Sequence, residues 1–294
     1  MAQQFRKRRW RRPERLTLEH PPVVRRKDLG ASEPVVIEPD LARKASRRRI
    51  EILLVAFVVL CALEGFAVGL LFDAPIAGPA IGAGYAVFYF FLGREFGDGW
   101  LVRACKAKPL DSSRIARLVT GEARGAAIPA PRLLLAPGSA PNAFSFALRR
   151  RWLVVTEGTD TGDELVLEGM FAHEVIHLRD GDASVAGLYV VLAGAPELVM
   201  RGAGALAFLS IPIWPVSLAM RMTAGVAMPE DREVRADVAG ALLTRYPPGV
   251  AEALRKAGGD PSPLRISDAF WFVPRRSGVR GPDANRRAEL LEEM

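Results

Sequence analysis

At 294 residues the chain has room for one or two domains with a proper core. Hydrophobic residues make up 50% of it and charged residues 25%, so apolar blocks must alternate with polar ones. The formal charge of +7 is crowded near the N-terminus rather than spread over a folded face, which argues against a nucleic-acid-binding domain, and two cysteines, Cys61 and Cys105, are too few for a disulfide framework.

Residues 1–49 carry arginine clusters at Arg6 to Arg9, Arg11–Arg12, Arg25 to Lys27 and Arg47 to Arg49, with prolines scattered between them. With no sustained apolar periodicity, this stretch reads as a mostly disordered basic tail. Its candidate partners are nucleic acid and the anionic inner face of a membrane, and the next segment favours the membrane. From Ile50 to Phe72 the chain is apolar for long enough to cross a bilayer as a helix. Asp73 to Pro75 then form a turn, and Ile76 to Leu92 read as a second span whose glycines and alanines permit close helix packing. Basic residues flank this hairpin outside Ile50 and Leu92 and are absent from its turn, which places the tail and everything from Gly93 onward on the cytoplasmic side. Glu64, a carboxylate inside the first span, is either functional or packed against the second.

The region 93–182 reads as soluble. Asp111 to Glu122 has a capping residue followed by Ile115, Leu118 and Val119 at helical spacing. Pro131 to Ala136 and Trp152 to Thr156 read as short strands, with Pro141 to Phe146 extended between them. Glu164 to Leu178 reads as a helix carrying H-E-x-x-H at His173, Glu174 and His177. On a helix two histidines four residues apart point from one face, where both imidazoles reach a single ion, and the pattern points to zinc. Glu174 would flank the metal, placed to take a proton from a water. The chain has only three histidines, and the third, His20, lies in the tail.

Residues 185–200 and 202–220 form a second apolar block, interrupted by Arg201 and containing Pro196, Pro212 and Pro215. It reads as a kinked spanning pair, with a shallow re-entrant hairpin as the alternative. From Pro229 to Ala241 a helix N-terminus leads into an amphipathic helix with Glu233 and Asp237 on one face. Two acidic residues so spaced also mark a solvated face. Here Glu233 would complete a His₂Glu ligand set with one position open, and Asp237 would orient a ligand histidine through its second ring nitrogen.

These pieces together resemble the HtpX-type membrane-bound zinc metallopeptidases, related more distantly to the CAAX prenyl proteases. The matching elements are the two-span hairpin, N-A-F at Asn142, Ala143 and Phe144, and H-E-x-x-H-x-x-x-x-D ending at Asp182. The second hydrophobic hairpin and R-E-x-x-A-D at Arg232, Glu233, Ala236 and Asp237 complete the set. The resemblance covers residues 50 to about 291 and leaves the basic tail outside. It implies an α+β, mainly helical fold: a gluzincin-type domain with a small β-sheet, joined to about four transmembrane or membrane-embedded helices. The implied organisation is a hairpin at 50–92, a catalytic domain split between 93–184 and 222–294, and the second hairpin at 185–221. One zinc ion per chain would be held by His173, His177 and Glu233, with Glu174 as general base and Asp237 and Asp182 as supports. Asn142, Ala143 and Phe144 would lie on an edge strand that receives a substrate peptide by strand addition. The implied setting is the bacterial inner membrane, crossed several times, with the active site facing the cytoplasm and protein or peptide substrates.

Two stretches depart from the family pattern. Members often carry H-P-P followed by an arginine near the C-terminus; here Arg280 to Arg287 contains no histidine, so either Asn142 or a nearby arginine serves near the oxyanion or turnover is slow. After N-A-F, small residues give way to Leu148 to Arg151. The rival reading is a membrane-anchored scaffold with a structural zinc, against which Glu174 argues, because a structural site has no use for that carboxylate. Val250 to Ala257, the aromatic cluster Phe270 to Phe272 and a final helix Arg286 to Glu292 read as elements that seal the domain.

Overall fold

The computed structural model describes residues 24–25, 34–35, 38–201, 211–229, 231–259, 264–274 and 283–294. Most of the basic tail with His20, the start of the second arm at 202–210, and Arg280 to Pro282 lie outside the described residues. Within the tail, β1 (Val24–Arg25) and β2 (Pro34–Val35) pair antiparallel.

Helix α1 runs from Pro39 to Leu71, with proline in its first turn, where the missing N–H costs no helical hydrogen bond. It begins well before Ile50, so 39–49 is helix rather than disordered tail. The cause is tertiary: Ser46 and Arg49 are buried against Asp182. A turn through Asp73 (φ 53°) leads into α2 (Ala77–Ala104), which continues past Leu92 into the soluble region. The two helices touch backbone to backbone: a Cβ on Gly65 would run into the Gly78 carbonyl, and one on Gly82 into the Cys61 carbonyl. Val55, Val59, Leu63, Phe66 and Leu70 on α1, with Ile81, Val87, Phe88 and Phe91 on α2, are exposed, an apolar belt that a water-facing hairpin would not carry. By length and composition α1 is long and apolar enough to cross a membrane, whereas α2, the expected second span, does not meet the same measure. The described residues hold one such helix, or up to three if each bent pair counts as one span, against the expected four or so.

Four strands, β3 (Lys108–Pro109), β4 (Arg132–Ala136), β5 (Ala143–Ala147) and β6 (Arg151–Thr156), form a mixed sheet in the order β3-β4-β6-β5, with β4 and β6 parallel and β5 antiparallel to β6. Alternation along the strands sends Phe144, Phe146 and Val154 into a core shared with the hairpin. Ala143, Leu153 and Val155 face a second core under the helices α3 (Ser113–Gly125), α4 (Glu164–Asp180), α9 (Arg232–Thr244), α10 (Pro247–Lys256) and α11 (Ala284–Glu292). The expected strands and helices in 111–178 are all present, with shifted ends.

α4 is capped by Asp163, whose side chain accepts from the Leu165 N–H, and ends at left-handed Gly181 (φ 84°). From that turn α5 (Asp182–Ala193) departs. The second apolar block is no straight hairpin: α5 and α6 (Ala195–Arg201) meet at an 81° bend beside Gly194, followed by short helices α7 (Trp214–Met220) and α8 (Ala224–Ala227). α5 is buried along its length against α1, β5 and α4. The bent pair α5–α6 is apolar and long enough to count as one span if the break is ignored.

Candidate metal centre

The centre is built where α4 crosses α9. Gly240 permits the approach: a Cβ there would lie 3.0 Å from the His173 backbone nitrogen. His173 and His177, one turn apart on α4, bring their Nε2 atoms to 2.9 Å with the rings edge to face. Glu233, in the first turn of α9, places Oε2 3.3 Å from His173 Nε2 and Oε1 3.7 Å from His177 Nε2. One ligand atom from each of the three residues falls within a 4.8 Å cluster.

Behind each imidazole stands a carboxylate. His173 Nδ1 lies 2.8 Å from Asp237 Oδ1, and His177 Nδ1 lies 3.3 Å from Asp182 Oδ2. Carboxylates on both Nδ1 atoms hold the protons there and leave the Nε2 lone pairs facing each other and Glu233. With both imidazoles neutral, three Lewis bases converge and repel one another, a conflict that a proton or a metal cation relieves. The donor set, two imidazoles and one carboxylate, fits zinc with a position to spare.

The supporting carboxylates are themselves held. Arg287 forks onto Asp237 through Nε (2.7 Å) and Nη2 (2.8 Å), donates Nη1 to the Phe272 carbonyl, and sets Nη2 3.5 Å from Glu233 Oε2. Asp182 accepts from Arg235 (2.9 Å), Ser46 (3.0 Å) and Arg49. Burial works against ionisation of Asp182, but the His177 bond and the Arg235 and Arg49 charges outweigh it and hold its carboxyl well below the usual range. Burial likewise opposes the charged forms of Asp237, held down by Arg287, and of Glu233, held down by Arg232.

In the metal-free protein burial disfavours a charged His173, yet Asp237 and Glu233 prevail and push it up to about 9. A proton must then leave before Nε2 can bind a metal, so zinc affinity is expected to rise by about tenfold per pH unit between pH 7 and 9 and then level off. Chelator-competition titrations across that range check this; an affinity flat with pH contradicts it.

Glu174 is fully buried, and neither carboxylate oxygen has a hydrogen-bond partner among the described residues. Its charge contributes to raising the Arg287 pKa, although burial there lowers it and Asp237 is the larger raising influence. An uncompensated buried carboxylate is costly and marks a group kept for something other than stability.

Sequence reasoning is corrected at Asn142. Its amide is fully engaged: Nδ2 donates to the Gly258 and Val273 carbonyls, and Oδ1 accepts from the Ala143 and Val273 N–H groups. It stitches the chain together and has no donor left for an oxyanion. β5 does end the sheet, but its edge is covered: the Phe272 N–H donates to the Ala143 carbonyl at 2.8 Å, Phe144 is buried under Phe270 and Trp271, and α5 packs along the rest. Phe272, expected to be plain core, also stands edge-on to His173 with ring centroids 4.8 Å apart. Arg287 could have been found in the sequence as an arginine on the apolar face of the last helix, beside Ala288 and one turn before Leu291. Ser46 and Arg49 carried no such signal.

A chain with this centre, attached to an apolar helical hairpin, is similar to curated proteins named protease HtpX homologue. The similarity is 29% identity over 290 residues with the one from Tropheryma whipplei strain Twist, covering 85% of this chain and 97% of that protein. It is 29% over 292 residues with the one from Streptococcus gordonii, covering 85% and 98%. With the homologue from Syntrophobacter fumaroxidans it is 30% over 188 residues, covering 55% and 65%. No family model matches the chain. No solved structure matches it. The full-length similarities make the chain HtpX-like.

Proposed function

We propose that the chain is a membrane-integral, zinc-dependent endopeptidase that hydrolyses peptide bonds on the cytoplasmic side of a bacterial inner membrane. The observation that carries the reading is the convergence of His173, His177 and Glu233 beside the unpartnered carboxylate of Glu174. The apolar belt on α1 and α2 supports membrane embedding. The arginines at Arg47 to Arg49 and at Arg94, on the two ends of the hairpin away from its turn, support the orientation. The name shared by the relatives supports protease activity. A peptidase centre set against a membrane hairpin suits damaged or misassembled membrane proteins as substrates.

Zinc held by the three ligands would act as a Lewis acid on the scissile carbonyl and acidify a water beside it. Glu174 accepts the proton of that water and returns it to the leaving amide nitrogen. Asp237 and Asp182 keep both imidazoles turned with Nε2 inward. Arg287, 3.5 Å from Glu233 Oε2, keeps a positive charge close to the three ligands and would offset negative charge developing on the attacked carbonyl oxygen. His173 and Glu174 are buried, so a peptide enters only when Trp271 to Val273 leave the edge of β5. The vacated Ala143 carbonyl then receives the N–H of the substrate strand.

Purified full-length protein loaded with zinc should cleave an unfolded model protein such as reduced casein, and stop when a chelator strips the metal and resume when zinc returns. Cleavage indifferent to chelation would refute the metallopeptidase reading.

A further inference from the structure

Two joined cavities lie where the hairpin meets the sheet. The first, about 150 Å³, is bounded by Ile50, Phe90, Leu188, Val191 and Leu192 and is mostly apolar. The second, about 460 Å³, is ringed by Arg132, Arg149, Arg150 and Arg151. They share Ala147, Leu148 and Ser184 in their walls, and Arg94 adds a cation to the lining of the first. Arg149 pairs with Glu95 and Arg132 lies over the Trp152 ring, whereas Arg94, Arg150 and Arg151 form no ion pair among the described residues. The level in the membrane is set by sequence: Ile50 is where the arginine run of α1 becomes apolar, and Arg94 is where the apolar run of α2 ends. The groove therefore passes from hydrocarbon to headgroup depth, apolar below and cationic above.

We propose that this groove binds one anionic glycerophospholipid, with an acyl chain between α1, α2 and α5 and its phosphate among Arg94, Arg150 and Arg151. The charge pattern selects this occupant: basic pockets between membrane helices at the inner leaflet suit anionic headgroups, and a zwitterionic lipid would bring its own cation against the arginines. The inferred site rests on the reading of α1 and α2 as membrane-embedded.

The test compares full-length wild type with Arg94→Gln/Arg150→Gln/Arg151→Gln, purified in detergent and equilibrated with phosphatidylglycerol or phosphatidylcholine. Bound lipid is counted by native mass spectrometry. A control removes three exposed arginines outside the groove, Arg117→Gln/Arg124→Gln/Arg245→Gln, and circular dichroism verifies folding. Wild type and control are expected to retain phosphatidylglycerol at least fivefold better than the groove variant, with phosphatidylcholine retention equal in all three. Millimolar inorganic phosphate should fail to displace the lipid, since the acyl chain supplies part of the binding. Undiminished phosphatidylglycerol in the groove variant, an equal loss in the control, or displacement by phosphate alone overturns the site. Extraction of the wild-type chain from membranes by alkaline carbonate would instead overturn the membrane reading, so the two failures are separate.

Discussion

Replacing Glu174 with glutamine is expected to lower kcat for peptide hydrolysis by about 10³-fold while leaving the zinc content unchanged. Glutamine keeps the shape of the side chain and removes its basicity. The wild-type carboxylate is buried with both oxygens unpartnered, so the substitution takes away a destabilising charge and stability is expected to hold or rise. Loss of activity with gain of stability would distinguish a proton-transfer group from a structural one. Substrate cleavage, bound zinc and the unfolding temperature measured on the same preparation check this; a variant that cleaves at the wild-type rate would remove Glu174 from the reaction.

The second large effect is expected at Arg287. Its fork onto Asp237 is buried, and truncation to alanine strands that carboxylate against His173 without its cation. Breaking a buried pair in this way costs about 3–5 kcal/mol, a fall of roughly 10 °C in unfolding temperature. Asp237 would also hold His173 less firmly, so zinc affinity is expected to fall by about 10–100-fold. Arg287→Lys keeps the charge but not the two parallel hydrogen bonds, and should lie between wild type and alanine on both measures. Calorimetry and zinc competition assays provide the readouts. Wild-type stability and affinity in Arg287→Ala would show that Asp237 needs no partner.

What could be read from the sequence was what depends on short periods. His173 and His177 are a turn apart whatever surrounds them, so that pair was legible from spacing. Glu233 with Asp237, by contrast, repeat a spacing that also suits a solvated face and were picked out by the resemblance to the HtpX type. The alternating strands around Val154 and the capped helix α4 were legible for the same local reason. Contacts between distant segments were not. Ser46 and Arg49 look like the end of a solvated arginine run until α1 is packed against the turn at Gly181. That packing joins the start of α1 to His177 through Asp182. Phe272 reads as one more core aromatic, and only the fold puts its N–H on the edge of β5 and its ring on His173. Asn142 carried a motif suited to substrate binding, yet its amide is spent on Gly258 and Val273, more than a hundred residues away.

The hub at Asp182 gives the chain a physical link between the apolar hairpin and the candidate centre. Ser46 and Arg49 from α1 and Arg235 from α9 meet on one carboxylate that also orients His177. A shift of α1 relative to α5 would thus be felt at a metal ligand through hydrogen bonds alone.

The most direct measurement is metal stoichiometry with coordination. Full-length protein refilled with zinc and freed of excess should hold one ion per chain, with an X-ray absorption spectrum of two imidazoles plus oxygen donors, and Glu233→Ala should lose most of it under the same dialysis. Wild type that retains no zinc, or a Glu233→Ala variant that keeps a full equivalent with an unchanged spectrum, would contradict the account.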